Sequence, residues 1–325
     1  MASVKPELNQ APKYNQQPNP RSEGKKKAIT KGIKQWGEVF PFIIIGLIGA
    51  VVFVIYPLIK GVIMSFQDYS IIPGAESPFV GLENYKEAFR DEQFKYAVRN
   101  TLLNTVVTVP INWFLGLVFA VLINMHFIKY KIAFRTLYYL PIITSWIVVA
   151  FLFRFLFADG ESGLINFLLH TKLGLIDEPI SWLQNQWTAM LVIWTFHIWK
   201  TVGWTVVIYL AALQGIPKEL YEAASIDGAN GLRLFRNVTI PLLGPVTIFV
   251  LINLVIGAFN IFPQVYFITN GGPIGQTEVL QSMIYKEAFN NFNFGYSSAL
   301  GVMMGLTIFF VTWTQQKKIG NQRYF

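Results

Sequence analysis

At 325 residues, with 53% hydrophobic and only 14% charged side chains, the chain is too apolar for an ordinary soluble domain and reads as a polytopic membrane protein. The absence of cysteine excludes a disulfide framework, a thiolate metal site and a thiol nucleophile. The net charge of +8 does not mark a nucleic-acid binder: eight basic residues (Lys5, Lys13, Arg21, Lys25, Lys26, Lys27, Lys31, Lys34) precede the first apolar run, as in a cytoplasmic flank.

The Pro-, Asn- and Gln-rich stretch from Met1 to Gly24 has too little apolar area to offset its ordering entropy, so residues 1–35 are expected to form a largely disordered basic tail. Its Lys-rich end fits either a short surface helix with Trp36 at headgroup depth or a plain solvated leader. No cleavable signal is expected, because the first apolar run starts far from the N-terminus and is long enough to span. Residues 36–325 then form one transmembrane domain.

Six segments are long and apolar enough to cross a bilayer: Phe40–Phe66, Thr101–Ile123, Phe134–Phe157, Trp187–Leu213, Leu243–Thr269 and Tyr296–Trp313. Pro41, Pro57, Pro110, Pro141, Pro245 and Pro263 lie within or at the ends of them, which membrane helices tolerate when neighbours re-satisfy the freed carbonyls. Between the first two spans, Phe79–Tyr85 followed by Ala88 and Phe89 predicts a turn into a short amphipathic helix. After the third, Asp159–Gln186 is a long loop broken by Gly160, Gly163, Gly174 and Pro179. Gly301 and Gly305 in the last span suit close helix packing. With the N-terminus inside, Lys129, Lys131, Arg135, Lys218, Arg233, Arg236, Lys317, Lys318 and Arg323 join the tail on the cytoplasmic side. The outer loops hold Lys86, Arg90, Lys95, Arg99, Lys172 and Lys286 among many carboxylates. That asymmetry predicts both termini in the cytoplasm.

The connection between the fourth and fifth spans, residues 214–242, is then cytoplasmic as well. Pro217 suits a first helical turn, Lys218–Ile226 are acceptable helix formers, and Gly228 suits the left-handed position that ends a helix. Leu220, Ala223, Ala224 and Asp227 share one face, and the two alanines let another backbone come close. A second helical stretch with Leu232, Phe235 and Arg236 leads to Pro241. From the residues alone, two readings fit: a connector packed on its own membrane domain, or a helix docked in a groove of a soluble partner.

The pattern Glu222-Ala223-Ala224, Gly228, Val238, Ile240 and Pro241 resembles the signature loop of the inner-membrane permease subunits of binding-protein-dependent ATP-binding-cassette (ABC) importers. With Tyr221, Asp227 and Ala229 it is similar to the maltose-type carbohydrate branch. Tyr56-Pro57, Ser65-Phe66, Val80-Gly81-Leu82 with Asn84-Tyr85, Asn100-Thr101-Leu102, Phe134-Arg135 with Leu140-Pro141, and Gly271-Gly272-Pro273 with Thr277 agree, so the likeness runs from about Trp36 to the C-terminus. Val238 and Ile240 stand in for the family's usual aliphatics.

The resemblance implies an all-α polytopic membrane protein with the type I ABC importer permease fold: six transmembrane helices and a cytoplasmic coupling helix between the fourth and fifth. It also implies a bacterial inner-membrane location and several partners: a second homologous permease, two ABC ATPase subunits, an extracytoplasmic solute-binding protein, membrane lipid and a carbohydrate substrate. Leu220, Glu222, Ala223, Ala224, Asp227 and Gly228 would meet the ATPase, Glu222 pairing with a basic residue there and Gly228 permitting the tight turn.

Polar residues inside spans are costly and need a reason. The fourth span carries Trp194 and the stripe His197, Lys200, Thr201 and Trp204, spaced i, i+3, i+4 and i+7. The fifth carries Asn253, Gly257, Asn260 and Gln264 on one expected face, and the third carries Thr144, Ser145 and Trp146. Aromatic faces with amides and hydroxyls suit a sugar, and positive charge on Lys200 and His197 would suit a carboxylated one such as a uronate oligosaccharide. Equally, Asn and Thr serve as interhelical glue, and Lys200 fits a snorkelling or subunit-pairing role.

No Gly-x-x-x-x-Gly-Lys-Ser/Thr phosphate cradle occurs, so no cofactor is expected in this chain, and ATP and Mg belong to the ATPase partners. A non-catalytic transport subunit is the leading reading. An ion- or proton-coupled carrier would show paired intramembrane carboxylates or interrupted half-helices; the apolar cores contain essentially no Asp or Glu, which counts against proton coupling. A membrane enzyme is disfavoured because His126, His170 and His197 lie on separate segments and no His-Glu-x-x-His or Gly-x-Ser-x-Gly motif occurs.

Overall fold

The computed structural model describes residues 40, 43–125 and 131–320. The basic tail, Trp36, Pro41, His126, Lys129 and Arg323 lie outside the described residues. Two compact units divide at Lys60. The first holds most of α1 (Ile43–Met64), whose 22 residues are a membrane-crossing length with a π-helical stretch at Val51–Ile55.

From Gly61 onward the unit is built on two long helices, α3 (Glu92–Asn124) and α6 (Gln186–Gln214), packed side by side. Asp91 opens α3 by accepting the backbone N–H of Gln93 at 2.8 Å, and Asn185 opens α6 by accepting that of Trp187 at 2.9 Å. α3 passes Pro110 without a break. Close approach is set at Gly116, where a Cβ would fall 2.2 Å from the Thr205 side chain of α6. Ahead of α3, the expected short helix is α2 (Glu83–Arg90), entered through Gly81 at φ +62°. Asn84 anchors it, donating to the carbonyls of Ser65 and Gln67 at 2.9 and 3.0 Å.

Two of the six expected spans are not single helices. The third consists of α4 (Lys131–Ile143) and α5 (Trp146–Leu156), meeting at 100° across Thr144 and Ser145. The fifth consists of α9 (Gly244–Phe259) and a short α10 (Pro263–Ile268), interrupted at Asn260–Phe262. α4 packs on α6, and α9 packs on α3 and on the last helix, α12 (Phe294–Gly320); the second pieces of the two broken spans, α5 and α10, pack on each other. Among the described residues Gly301 and Gly305 on α12 make no such packing, since a Cβ at either would meet nothing within 4 Å.

The long loop after α5 is organised by Asn166. Its amide donates to the carbonyls of Gly160 and Ile180, and its oxygen accepts from Ile180 N–H and Trp182 Nε1. Between α10 and α12 lies α11 (Leu280–Phe289), and the preceding turn is fastened by Lys286, which binds the Glu278 carboxylate at 2.6 Å and the Asn270 carbonyl at 2.9 Å.

Candidate functional site

Trp146, His197, Lys200, Thr201, Trp204 and Asn253, with Ile142, Leu254 and Gly257, line one cavity of about 310 Å³ between the third, fourth and fifth spans. The helical spacing on α6 puts the four residues of its stripe on one side, and the elbow in the third span delivers Trp146 to the same place. A concave space with aromatic walls and a few converging amide and hydroxyl groups is the composition of a site for an amphipathic ring. Other cavities are larger: two, about 480 and 490 Å³, lie at the other end of the bundle around Phe235 and the ends of α3 and α6, walled mostly by aliphatic and aromatic side chains, and one of about 350 Å³ is lined by Arg154, Asp159, Gln184 and Thr269 among others.

The polar groups of the cavity are tied into the fold. His197 is buried, with Nδ1 2.9 Å from Gln264 Nε2; with that amide donating, the ring proton sits on Nε2. Thr201 Oγ1 lies 2.7 Å from the His197 carbonyl and 3.1 Å from Asn112 Oδ1. Lys200 is 1% exposed. Its ammonium donates to the carbonyls of Pro141 and Thr144 and to Thr144 Oγ1, and it lies 5.1 Å from the Trp146 ring centroid. Neither snorkelling nor a free charge for a carboxylated sugar describes Lys200, because its three N–H groups all have acceptors inside the chain.

Ser145, Asn260 and Gln264 separate from the cavity, whereas Asn253 stays on its wall. Ser145 is exposed at the elbow. Asn253 and Asn260 each turn Nδ2 back to the carbonyl four residues earlier, at 2.8 and 2.7 Å. Asn260 is exposed at the interruption, whereas Gln264 lies beyond it and is 2% exposed behind His197. The interruption thus corrects the expected single face of Asn253, Gly257, Asn260 and Gln264. Trp194 packs elsewhere, against the cluster of Met190, Ile193, Ile261, Val265 and Val279.

At the other end, α7 (Lys218–Ile226) follows Pro217. Gly228 takes φ +80° and closes the helix with two return bonds, Gly228 N–H to the Ser225 carbonyl and Ala229 N–H to that of Ala224, both 3.0 Å. Tyr221 and Ala224 are partly buried, and the Tyr221 hydroxyl meets Thr239 Oγ1 at 3.1 Å. Leu220, Glu222, Ala223 and Asp227 are exposed, so Ala224 belongs to the inner side rather than to the open face expected for it. Glu219, Glu222, Ala223 and Ile226 form the outward stripe, and Ile226 and Leu232 are 86% and 77% exposed. α8 (Gly231–Leu234) is capped by Asn230, which accepts from Arg233 N–H at 3.2 Å.

Sequence reasoning missed a ladder on α3. Asn100, Asn104, Thr108 and Asn112 are fully buried. Asn100 donates to the carbonyls of Gln276 and Glu278, and Asn104 donates to that of Ala258, one of the last carbonyls of α9. The four-residue spacing of polar side chains through an apolar span was the available signal.

The sequence from residue 92 to residue 317 matches the family described as "Binding-protein-dependent transport system inner membrane component". The arabinooligosaccharides transport system permease protein of Halalkalibacterium halodurans is 36% identical over 281 residues, covering 86% of this chain and 87% of that protein. The protein of the same description from Bacillus subtilis is 37% identical over 273 residues, 83% of this chain and 84% of its own. Among solved structures, a bacterial ABC transporter involved in the import of the acidic polysaccharide alginate matches with a TM-score of 0.79 over 91% of this chain and 99% of the matched chain. At 22% identity that likeness is one of fold.

Proposed function

The chain belongs to the family of binding-protein-dependent transport system inner membrane components, and on that premise we propose that it is the transmembrane subunit of an ATP-driven oligosaccharide importer. It is a multi-pass inner-membrane protein of a class that does not itself hydrolyse ATP. The observation that carries the sugar reading is the cavity, where Trp146 and Trp204 supply ring faces and His197, Thr201 and Asn253 supply polar groups at one place. The relatives described as arabinooligosaccharide permeases support a carbohydrate.

In this reading the cavity is half of a path completed by a second, homologous permease, with a solute-binding protein delivering sugar from outside. Both termini and α7 face the cytoplasm. The outward stripe of α7 lies in a cleft of an ATPase subunit, one of two, which bind ATP and Mg; Glu222 pairs there with a basic residue. The exposure of Ile226, one helical turn from Glu222, and of Leu232 on the next helix supports a covered surface, since an open aliphatic side chain on the face of a carboxylate is the makeup of a helix-in-groove contact. A uronate oligosaccharide would need its cation from the other permease, because Lys200 is committed to Pro141 and Thr144.

Reconstitution of the chain with its candidate second permease, ATPase subunits and binding protein tests the proposal. ATP-dependent uptake of arabino-oligosaccharide that requires every component is expected. Gradient-driven uptake by this chain alone would replace it with a secondary carrier.

A further inference from the structure

The first helical half of the third span ends in the middle of an apolar segment, and the last carbonyls of any helix lack intrahelical partners. Inside a bilayer such carbonyls are met by protein groups or by a water-filled cavity, and here Thr144 Oγ1 already donates to the Pro141 carbonyl at 2.7 Å. Lys200 reaches across from α6 to the carbonyls of Pro141 and Thr144 and, at 2.8 Å, to Thr144 Oγ1. A cation at this end also opposes the negative pole of the α4 dipole. One turn further along α6, Gly203 lets the Tyr138 carbonyl come so close that a Cβ would sit 1.9 Å from it. Gly203 and Lys200 thus engage α4 one turn apart, at Tyr138 and at Pro141. Immediately beyond the clasped carbonyls, the chain turns 100° and presents Trp146, 5.1 Å from the same ammonium, to the cavity.

We propose that Lys200 is a positioning residue that clasps the broken end of the third span and fixes the elbow aiming Trp146 into the cavity. It does not bind the carried molecule's charge. The value of that aim for transport rests on the function proposed above; the clasp itself does not, and its test needs no sugar.

The chain has no cysteine, so single thiols can be placed at will. Val149 is 5% exposed on α5, just past the elbow, and Val250 is fully buried on α9 away from it. In the full chain purified in detergent, Val149→Cys is labelled with a water-soluble maleimide only when that region opens. Adding Lys200→Met, which removes all three donations, is expected to speed this labelling by at least about ten-fold, the equivalent of losing one charge-assisted hydrogen bond. Labelling of Val250→Cys should not change, and Lys200→Arg, which keeps the donors, should restore a rate between the two. If Lys200→Met leaves the labelling of Val149→Cys unchanged, the proposal is overturned. An equal rise in the labelling of Val250→Cys overturns it too, because that would mean general loosening. If Lys200→Met does not accumulate, Thr144→Val removes one acceptor of the ammonium, together with the Thr144 hydroxyl's own 2.7 Å bond to the Pro141 carbonyl, and leaves the cation. Faster labelling of Val149→Cys alone then supports the clasp, and an unchanged rate rejects it.

Discussion

Gly203→Ala is the most demanding perturbation of this fold. The added Cβ would lie 1.9 Å from the Tyr138 carbonyl oxygen, 2.9 Å from its carbon and 3.3 Å from Ile142 Cδ1. The first two obstacles are backbone, so no rotamer change relieves them. To bring the oxygen out to 3.0 Å, the α4 helix must withdraw from α6 by about 1.1 Å. Overpacking of that kind costs about 1–3 kcal/mol. The same withdrawal, if rigid, stretches the 2.8 Å bond from Lys200 to Thr144 to about 3.9 Å, beyond hydrogen-bonding range. Losing a charge-assisted bond adds about 1.5–3 kcal/mol, for a total of about 2.5–6 kcal/mol. The assay is thermal unfolding of the detergent-purified chain beside Gly257→Ala, where a Cβ meets nothing within 4 Å. A melting temperature lowered by about 5–15 °C is expected for Gly203→Ala, with little change for Gly257→Ala. If the two variants melt together within about 2 °C, the close approach and the clasp beside it are not what holds the third span.

Glu222→Ala, by removing one side of the charge pair proposed with the ATPase, a truncation that costs about 2–5 kcal/mol, should abolish ATP-driven uptake while ATP hydrolysis and the melting temperature of this chain persist. Gly228→Pro should do the same, because proline cannot take φ +80°; wild-type uptake in either variant would reject the coupling assignment. Lys200→Met should reduce uptake of neutral and uronate oligosaccharides by the same factor, and a loss confined to the acidic sugar would reinstate a charge role. Asn104→Leu should lower stability by about 1–2 kcal/mol in thermal unfolding, although it makes the span more hydrophobic. Burial, and then the neighbouring Asp91, Glu87 and Glu278 carboxylates, raise the Glu287 carboxyl above its ordinary 4.5, while a bond from Asn291 opposes them. A raised carboxyl weakens the fold above its folded-state value and has no effect below the unfolded one. Glu287→Gln should therefore raise the melting temperature at pH 7, and the gain should vanish as the pH falls below 4.5.

The membrane spans were legible because hydropathy reports burial in lipid whatever the helix does inside it. The breaks were not. Pro110 sits in an unbroken 33-residue helix, while the third span turns at Thr144, three residues after Pro141, so proline alone does not locate an interruption. The loop was legible through local chemistry: Gly228 takes the left-handed conformation that its position demanded. The stripe on α6 was legible as a face, yet the partners of its most costly member were backbone carbonyls of Pro141 and Thr144, which no residue type announces. Gln264 was assigned to the wrong face because the helical period was carried across Asn260–Phe262, where the chain is not helical.

The amide ladder of α3 carries a consequence for how this molecule is made. Asn104 enters the translocation machinery 154 residues ahead of Ala258, the carbonyl it serves. At ribosomal speeds that interval is about 8–30 s. Throughout it, a nascent span holds amides whose acceptors have not yet been synthesised. Early biogenesis, before the fifth hydrophobic segment emerges, is therefore when this chain is most open to misinsertion and quality-control degradation.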